Sequence, residues 1–419
     1  MRRYGLREVR SFESSNHPAP ASMKIPESFF TFIQAHAADD LSRLLLSAGR
    51  YPGVDVPFAV EQIAARRRIR GKLPLWEADG RLLFPSRTAA EQCSSELTAR
   101  YKLRLSEGAE HVCDLTGGLG VDAYHFALQA ARVTYVECDT ACFDVAMYNF
   151  ERLNAHNIEG HHADAREVWD RIAQPDAFYL DPSRRGTGNA RVFALHDCRP
   201  DLTEMLPGLL RRAPTVIAKL SPMLDIRHTL ALLPETAGIH VVSVRNECKE
   251  LLFVMRRGTE GGDPAVHCVN FTADGGEQAF SFRYREEHQA ESVVAGRILG
   301  YLYEPNAAIL KAGAYKLAAS RSGAGKLHVS SHLYTSDEYL PAFPGRVFRV
   351  ERVYPFSNAV CRTIARDVPQ ANLSVRNFPL TADGLRRRIR VAEGGGGACL
   401  FATTLAGNGR VLILCRKME

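Results

Sequence analysis

Residues 111–137 read HVCDLTGGLGVDAYHFALQAARVTYVE. A short apolar run, HVCDLT, ends at a glycine loop, Thr116-Gly117-Gly118-Leu119-Gly120. Helical VDAYHFALQAA follows, then a second apolar run, VTYVECD, so the stretch is a strand–loop–helix–strand unit of the parallel kind. The rhythm continues outward. Helical CFDVAMYNFERLNAH precedes IEGHHAD and DAFYLDP, and helical DLTEMLPGLLRR precedes TVIAKLS. Strands alternating with helices at this spacing give an α/β fold with a doubly wound parallel sheet. HVVSV and ELLFVMRR are separated only by polar RNECK, too short for a crossover helix, and are expected to pair antiparallel at the end of the sheet.

The flanks read differently. At 419 residues the chain has room for about three domains at ~150 residues each, and 46% hydrophobic with 24% charged residues supports sizeable cores. No apolar run approaches the ~18 residues of a membrane helix, so no spanning segment is expected. Residues 1–22 are basic without an apolar stretch and read as a disordered leader rather than a secretory signal, with Met23 as the expected start. Ten scattered cysteines show no C-x-x-C pair and no metal-ligand spacing, the pattern of free cytoplasmic thiols and no metal site.

Residues 23–107 read as a helical segment: Phe29, Phe30, Ile33 and Ala37 at helical spacing, LSRLLL, AVEQIAARRRIR with its basic run Arg66, Arg67, Arg68 and Arg70, and one helix over AAEQCSSELTARYKLRL ending near Leu105. The arginine run is either a helix end or a phosphate site. GTEGGDP (258–264) is the candidate boundary of the central domain. Beyond it VHCVNF, AFSFRYR, CLFATTL and RVLILCR read as strands. ESVVAGRILGYLYEP, AAILKAGAYKLAA and TADGLRRRIRV read as helices, which makes the tail small α+β modules. Charge is uneven. Residues 1–100 carry 15 Lys+Arg against 11 Asp+Glu, net +4; residues 101–280 carry 18 against 25, net −7; residues 281–419 carry 20 against 11, net +9. An acidic centre suits a cationic ligand, and a basic tail suits a polyanion.

Glycines after the first strand of such a sheet let a ligand approach the backbone at the carboxyl edge. Gly118-x-Gly120-x-x-Ala123, with Glu137 ending the second strand, satisfies the dinucleotide fingerprint, and S-adenosylmethionine competes for the same place. Asp114 ends strand one, Asp164 follows strand three, and Asp181 ends strand four in YLDPSRR. Four carboxylates at successive strand ends suit a sulfonium better than a pyrophosphate. The alternative is that these residues cap the following helices.

The order DLTGGLG, YVECD, HHADA, YLDPSRR and a terminal antiparallel pair resembles a class I S-adenosylmethionine-dependent methyltransferase. QCSSELTARYK, LDPSRR, KLSPMLD, NECKELLF, YEPNAAILKAGAY, SSHLYTSD, FPGRVF, RNFPLTADGLRRR and LFATTL resemble a bacterial group of these enzymes with a THUMP-like C-terminal domain. The resemblance implies a Rossmann-like seven-stranded sheet over 108–260, a ferredoxin-like α+β module over 265–345 and a THUMP-like domain over 346–419. It places the methionyl end of S-adenosylmethionine against Asp114, Thr116, Gly118 and Gly120, the ribose on Glu137 and the adenine near Asp164. Asp181 and Pro182 would open the catalytic loop. THUMP domains are associated with RNA modification, so the resemblance also implies RNA, tRNA or rRNA, as substrate.

The receiving atom stays open. Base-amine methylation in such enzymes uses an aromatic residue where this loop has Arg184, and carbon-5 chemistry needs a cysteine nucleophile that the loop lacks. Ribose 2′-O-methyltransferases of the fibrillarin type use a Lys-Asp-Lys-Glu tetrad, and Lys102, Asp181, Lys219 and Glu250 stand at the corresponding places. Arg184 and Arg185 could clamp an RNA phosphate. A non-catalytic RNA-binding scaffold with the same fold is the competing class.

Overall fold

The computed structural model describes residues 25–184, 195–394 and 396–418. The leader expected over 1–22 lies outside them, and so does Arg185. Two compact units divide the chain: the first takes the described residues up to Ser183 together with Glu204–Val216, the second the remainder.

The first unit opens with helices α1 (Glu27–Ala35), α2 (Leu41–Leu46), α3 (Val56–Ile69), α4 (Pro74–Ala78), α5 (Arg87–Gln92) and α6 (Glu96–Leu103). Local capping sets most of these starts: Asp40, Asp55, Ser86 and Ser95 each accept a backbone N–H of the first turn. The single helix expected to run to Leu105 is two, because Ser95 caps α6 and breaks the chain between Gln92 and Glu96. Strands and helices then alternate as β1 (His111–Asp114), α7 (Val121–Ala127), β2 (Arg132–Glu137), α8 (Thr140–Arg152), β3 (Ile158–His162), α9 (Ala165–Val168) and β4 (Ala177–Leu180). β1 pairs parallel with β2 and with β4, and β2 parallel with β3, so their order is β3-β2-β1-β4. Val112, Cys113, Val133, Tyr135, Val136, Phe178 and Leu180 are almost wholly buried, the near-continuous apolar pattern of strands covered on both faces. All four carboxyl ends therefore point to one edge.

Two-residue strands β5 (Ser183–Arg184) and β6 (Cys198–Arg199) flank the segment not described, and α10 (Leu202–Arg212) returns the chain to the first unit. The boundary between units falls inside β7 (Thr215–Leu220). In the second unit α11 (Ile226–Leu232) leads to β8 (Thr236–Val244) and β9 (Glu247–Arg256), antiparallel as expected. Their hairpin turns on Arg245 and Asn246, with φ of 52° and 63°, the two positive values that a two-residue turn needs to match strand twist. β10 (Ala265–Phe271) and β11 (Glu277–Phe282) were expected to open the 265–345 module. Instead β10 pairs parallel with β8, and β11 antiparallel with β10. Val266 and Cys268 are fully buried there.

After α12 (Tyr284–Gln289), a second sheet is built from β12 (Tyr301–Pro305), β13 (Gly325–Lys326), β14 (Tyr334–Ser336), β15 (Gly345–Pro355), β16 (Asn372–Arg376), β17 (Ala398–Thr404) and β18 (Arg410–Lys417). Its order is β13-β14-β12-β15-β18-β17-β16. Helices α13 (Ala307–Ala312), α14 (Tyr315–Ser322), α15 (Asn358–Asp367) and α16 (Ala382–Ile389) connect it. The helix expected over ESVVAGRILGYLYEP does not form. Tyr301–Pro305 lies hydrogen-bonded between β14 and β15, where Leu302 and Tyr303 are fully buried. Period-two burial explains the rest. Leu400, Ala402 and Leu412 pack with α15 and α16, whereas Phe401, Val411 and Ile413 pack with Leu302, Leu327 and Phe348.

Candidate active site

Two glycines of the loop, Gly117 and Gly120, are fixed by contacts that leave no room for side chains. A Cβ on Gly117 would fall 2.0 Å from the Tyr135 ring, and one on Gly120, at φ +85°, 2.5 Å from Phe150. Tyr135 donates its hydroxyl hydrogen to the Gly118 carbonyl at 2.6 Å. Gly118 itself, at φ +54°, has only the Thr116 carbonyl at 4.0 Å near its missing side chain, so its Cα face is open. Glu137 closes the loop on its other side: its two oxygens accept the Gly118 N–H and the Asp139 N–H, each at 2.7 Å. A carboxylate oxygen has further acceptor capacity, so Glu137 can still receive hydroxyls.

Asp114, 1% exposed, ends β1 just before this loop. One oxygen accepts the Thr116 N–H at 3.0 Å; the other, Oδ2, is buried with no partner. Burial above all, then the nearby carboxylates of Asp122, Asp181 and Glu137, push its carboxyl well above the usual carboxylate range, against the opposing Thr116 N–H. Its Oδ2 is therefore an acceptor that no protein donor uses.

Thr116, placed by the resemblance against the cofactor, also joins two loops. Its hydroxyl accepts the Asp181 N–H at 2.6 Å and so ties the glycine loop to the start of the Asp181-Pro182-Ser183-Arg184 loop. Pro182 is buried and Asp181 half-buried. The backbone of Arg184 forms part of β5. Asp164 behaves as the capping alternative foresaw: it caps α9 through the Arg166 N–H at 2.9 Å and pairs with the Arg166 guanidinium at 2.5 Å.

Lys102, read from the sequence as a member of the Lys-Asp-Lys-Glu tetrad, is fully buried. Its ammonium donates to Asp122 Oδ1 at 3.0 Å and to Ser94 Oγ at 2.9 Å, because a charge removed from water needs an opposite charge beside it. Asp122 Oδ2 also accepts the hydroxyls of Ser94 at 2.7 Å and Tyr179 at 2.8 Å. Ser94, Asp122 and Tyr179 had not been singled out; their signal was sequence proximity to Lys102, Gly120 and Asp181. In the second unit, Lys219 is half-buried on β7, and Glu250 is 5% exposed on β9 opposite Val242.

The basic run at the end of α3 makes contacts within the helical segment. Arg66 donates to the carbonyls of Gly80 and Leu82 at 2.8 and 2.7 Å, and Arg67 to those of Ala37 and Asp39. Arg68 and Arg70 pair with Glu91 and Glu77. All ten cysteines are free thiols. Among the described residues no His/Cys/Asp/Glu group could hold a metal ion, and no helix is long and apolar enough to cross a membrane.

Comparison with known proteins adds identity to this geometry. A ferredoxin-like domain family matches residues 301–344, and a THUMP domain-like family matches residues 345–417. No curated protein matches. Among solved structures, a provisionally assigned methyltransferase from Porphyromonas gingivalis W83 is 36% identical, with a TM-score of 0.83, over 94% of this chain and 98% of that one. TrmN from Thermus thermophilus is 19% identical over 40% of this chain and 51% of its own, with a TM-score of 0.32. A provisionally assigned RNA methyltransferase from Pyrococcus horikoshii is 16% identical over 38% of this chain and 84% of its own, at 0.29. Both of these partial likenesses stop at about two fifths of the chain. With near-complete mutual coverage at 36% identity, the chain belongs to the family of the P. gingivalis protein, class I methyltransferases with a THUMP-like C-terminal domain.

Proposed function

We propose that the chain is an S-adenosylmethionine-dependent methyltransferase acting on RNA, with the cofactor at the carboxyl edge of β1–β4 and catalysis at the loop opened by Asp181. The observation that carries this reading is the buried, unpartnered Oδ2 of Asp114 at the end of β1, four residues before Gly118, whose Cα face is open. A carboxyl in that state, with three further carboxylates nearby, suits an ammonium and a sulfonium and would repel a pyrophosphate. The residues present therefore fit the cofactor and disfavour the dinucleotide alternative.

Asp114 would hold the methionyl ammonium, Gly118 and Gly120 would let the chain approach it, and Glu137 would accept the ribose hydroxyls. Asp164, already capping α9, would flank the adenine. The cofactor supplies an electrophilic methyl group. Asp181 would orient the receiving atom, with Pro182 and the Thr116 hydroxyl holding its backbone still. Ribose methylation through a Lys102-Asp181-Lys219-Glu250 tetrad finds less support, because the Lys102 ammonium is engaged by Asp122 and Ser94. RNA as substrate rests on the THUMP-like match over 345–417 and on the net +9 of residues 281–419, with 20 Lys+Arg against 11 Asp+Glu.

Calorimetric titration with S-adenosylmethionine, S-adenosylhomocysteine and NAD tests the site. Saturable binding of the first two and none of NAD is expected. Binding of NAD alone would make the chain a dinucleotide protein, and binding of none would favour the scaffold reading.

A further inference from the structure

We propose that Lys102 is a positioning residue: through Asp122 and Tyr179 it sets the glycine loop against the catalytic strand, which makes the N-terminal helical segment part of the site. The inference rests on the reading of the glycine loop as the cofactor site. Its basis is one buried network within the first unit. Lys102 lies in α6, and Ser94 stands just before that helix. Asp122 is the second residue of α7, two positions after Gly120, and Tyr179 is the third residue of β4, two positions before Asp181. Both oxygens of Asp122 are used, one by Lys102 and the other by Ser94 and Tyr179, and Ser94 Oγ accepts a second bond from Lys102. The ammonium also lies 5.9 Å from the Tyr179 ring centroid.

A buried ion pair is weak evidence for stability, since desolvation offsets most of the attraction. A fully satisfied one is stronger evidence for geometry, because each member has a single place where all its bonds are made. Here the members come from the helical segment, the helix after the glycine loop and the strand before the catalytic loop. Lys102 also pairs with Asp122 at 3.0 Å, a carboxylate whose field reaches Asp114.

The experiment uses the full chain with Lys102→Met, Lys102→Met/Asp122→Asn and Tyr179→Phe. Melting temperature, amide hydrogen exchange in the peptides covering 114–122 and 177–183, and S-adenosylhomocysteine affinity are measured. Lys102→Met takes the buried ammonium from Asp122 and should lower melting temperature, exchange protection and affinity together. The double variant also removes the carboxylate charge, so its melting temperature should recover. Its Gly118, Gly120 and Asp181 amides should still exchange about tenfold faster, and its ligand affinity should stay about tenfold weaker, the order of one hydrogen bond removed. Tyr179→Phe keeps the ion pair and should speed exchange at Asp181 more than at Gly118. A double variant, or a folded Tyr179→Phe, with wild-type exchange at these amides would overturn the proposal and make the network merely structural. Failure of the wild-type protein to bind S-adenosylhomocysteine would instead refute the cofactor reading, while the exchange data still decide the role of Lys102.

Discussion

Asp114→Asn is the substitution whose effects follow most directly from the site. The amide keeps the size of the side chain and its acceptor for the Thr116 N–H, and it removes the charge from the one oxygen without a partner. A charge-assisted hydrogen bond to a cationic group contributes about 1.5–3 kcal/mol. Its loss corresponds to about 10- to 150-fold in affinity for S-adenosylmethionine, at ~1.4 kcal/mol per tenfold.

Stability should move the other way. In the folded protein Asp114 sits among Asp122, Asp181 and Glu137, with the Cys113 thiol and Tyr135 hydroxyl close by, and its carboxyl is held well above the usual range. In the unfolded chain it titrates near ~3.9. Between those values the folded state binds a proton that the unfolded state has released. The contribution of Asp114 is therefore whole below ~3.9 and is lost as pH rises through its folded value. The asparagine has no such loss, so the variant should gain stability relative to wild type as pH rises across this window. Wild-type affinity should also rise with pH, because a bound cation displaces the proton, while that of the variant should not. Denaturant melts and calorimetry at several pH values, in buffers of different ionisation enthalpy, read both effects. A variant that binds as tightly as wild type, with a stability difference independent of pH, would refute the reasoning.

Thr116→Val removes the acceptor of the Asp181 N–H; methyl transfer should fall at least tenfold with cofactor affinity within a few-fold, since the missing hydrogen bond lies on the catalytic side, and Thr116→Ser should restore transfer. Gly117→Ala places a methyl against Tyr135 and should destabilise the fold by about 1–3 kcal/mol, read by urea unfolding. The arginines at the end of α16 should separate by role: Arg386 donates to the carbonyls of Ala371 and Val391, whereas Arg387 and the C-cap residue Arg390 are exposed. Replacing Arg387 and Arg390 by Ala should flatten the salt dependence of RNA binding by roughly 0.7–0.9 for each phosphate the protein no longer neutralises, while Arg386→Ala should instead lower the melting temperature.

The glycine loop, the parallel strands and their terminal carboxylates were legible because they depend on local chemistry. Positive φ at Gly118 and Gly120 and apolar runs of strand length are written in neighbouring residues. The partner of Lys102 was not legible, since Asp122 is brought to it only by the packing of α6 on α7. The arginines of α3 show the same limit: a run of charge does not say which carbonyls it will reach, and Arg66 and Arg67 reach loops 14 to 30 residues away in sequence. Asp164 illustrates two roles competing for one carboxylate, with the helix cap that follows it in AREV visible from the start. Tyr301–Pro305 was misread because a helical spacing of apolar residues ran into it from Val293. Neighbouring strands, invisible in the local sequence, decide its conformation.

Transfer of a labelled methyl group from S-adenosylmethionine to RNA tests the central claim most directly. RNA from a strain lacking this gene should accept label from the purified protein, RNA from the parent strain should accept far less, and Asp181→Ala should abolish the signal while cofactor binding persists. Absence of label from both RNA preparations, with S-adenosylmethionine bound, would contradict RNA methylation as the function of this chain.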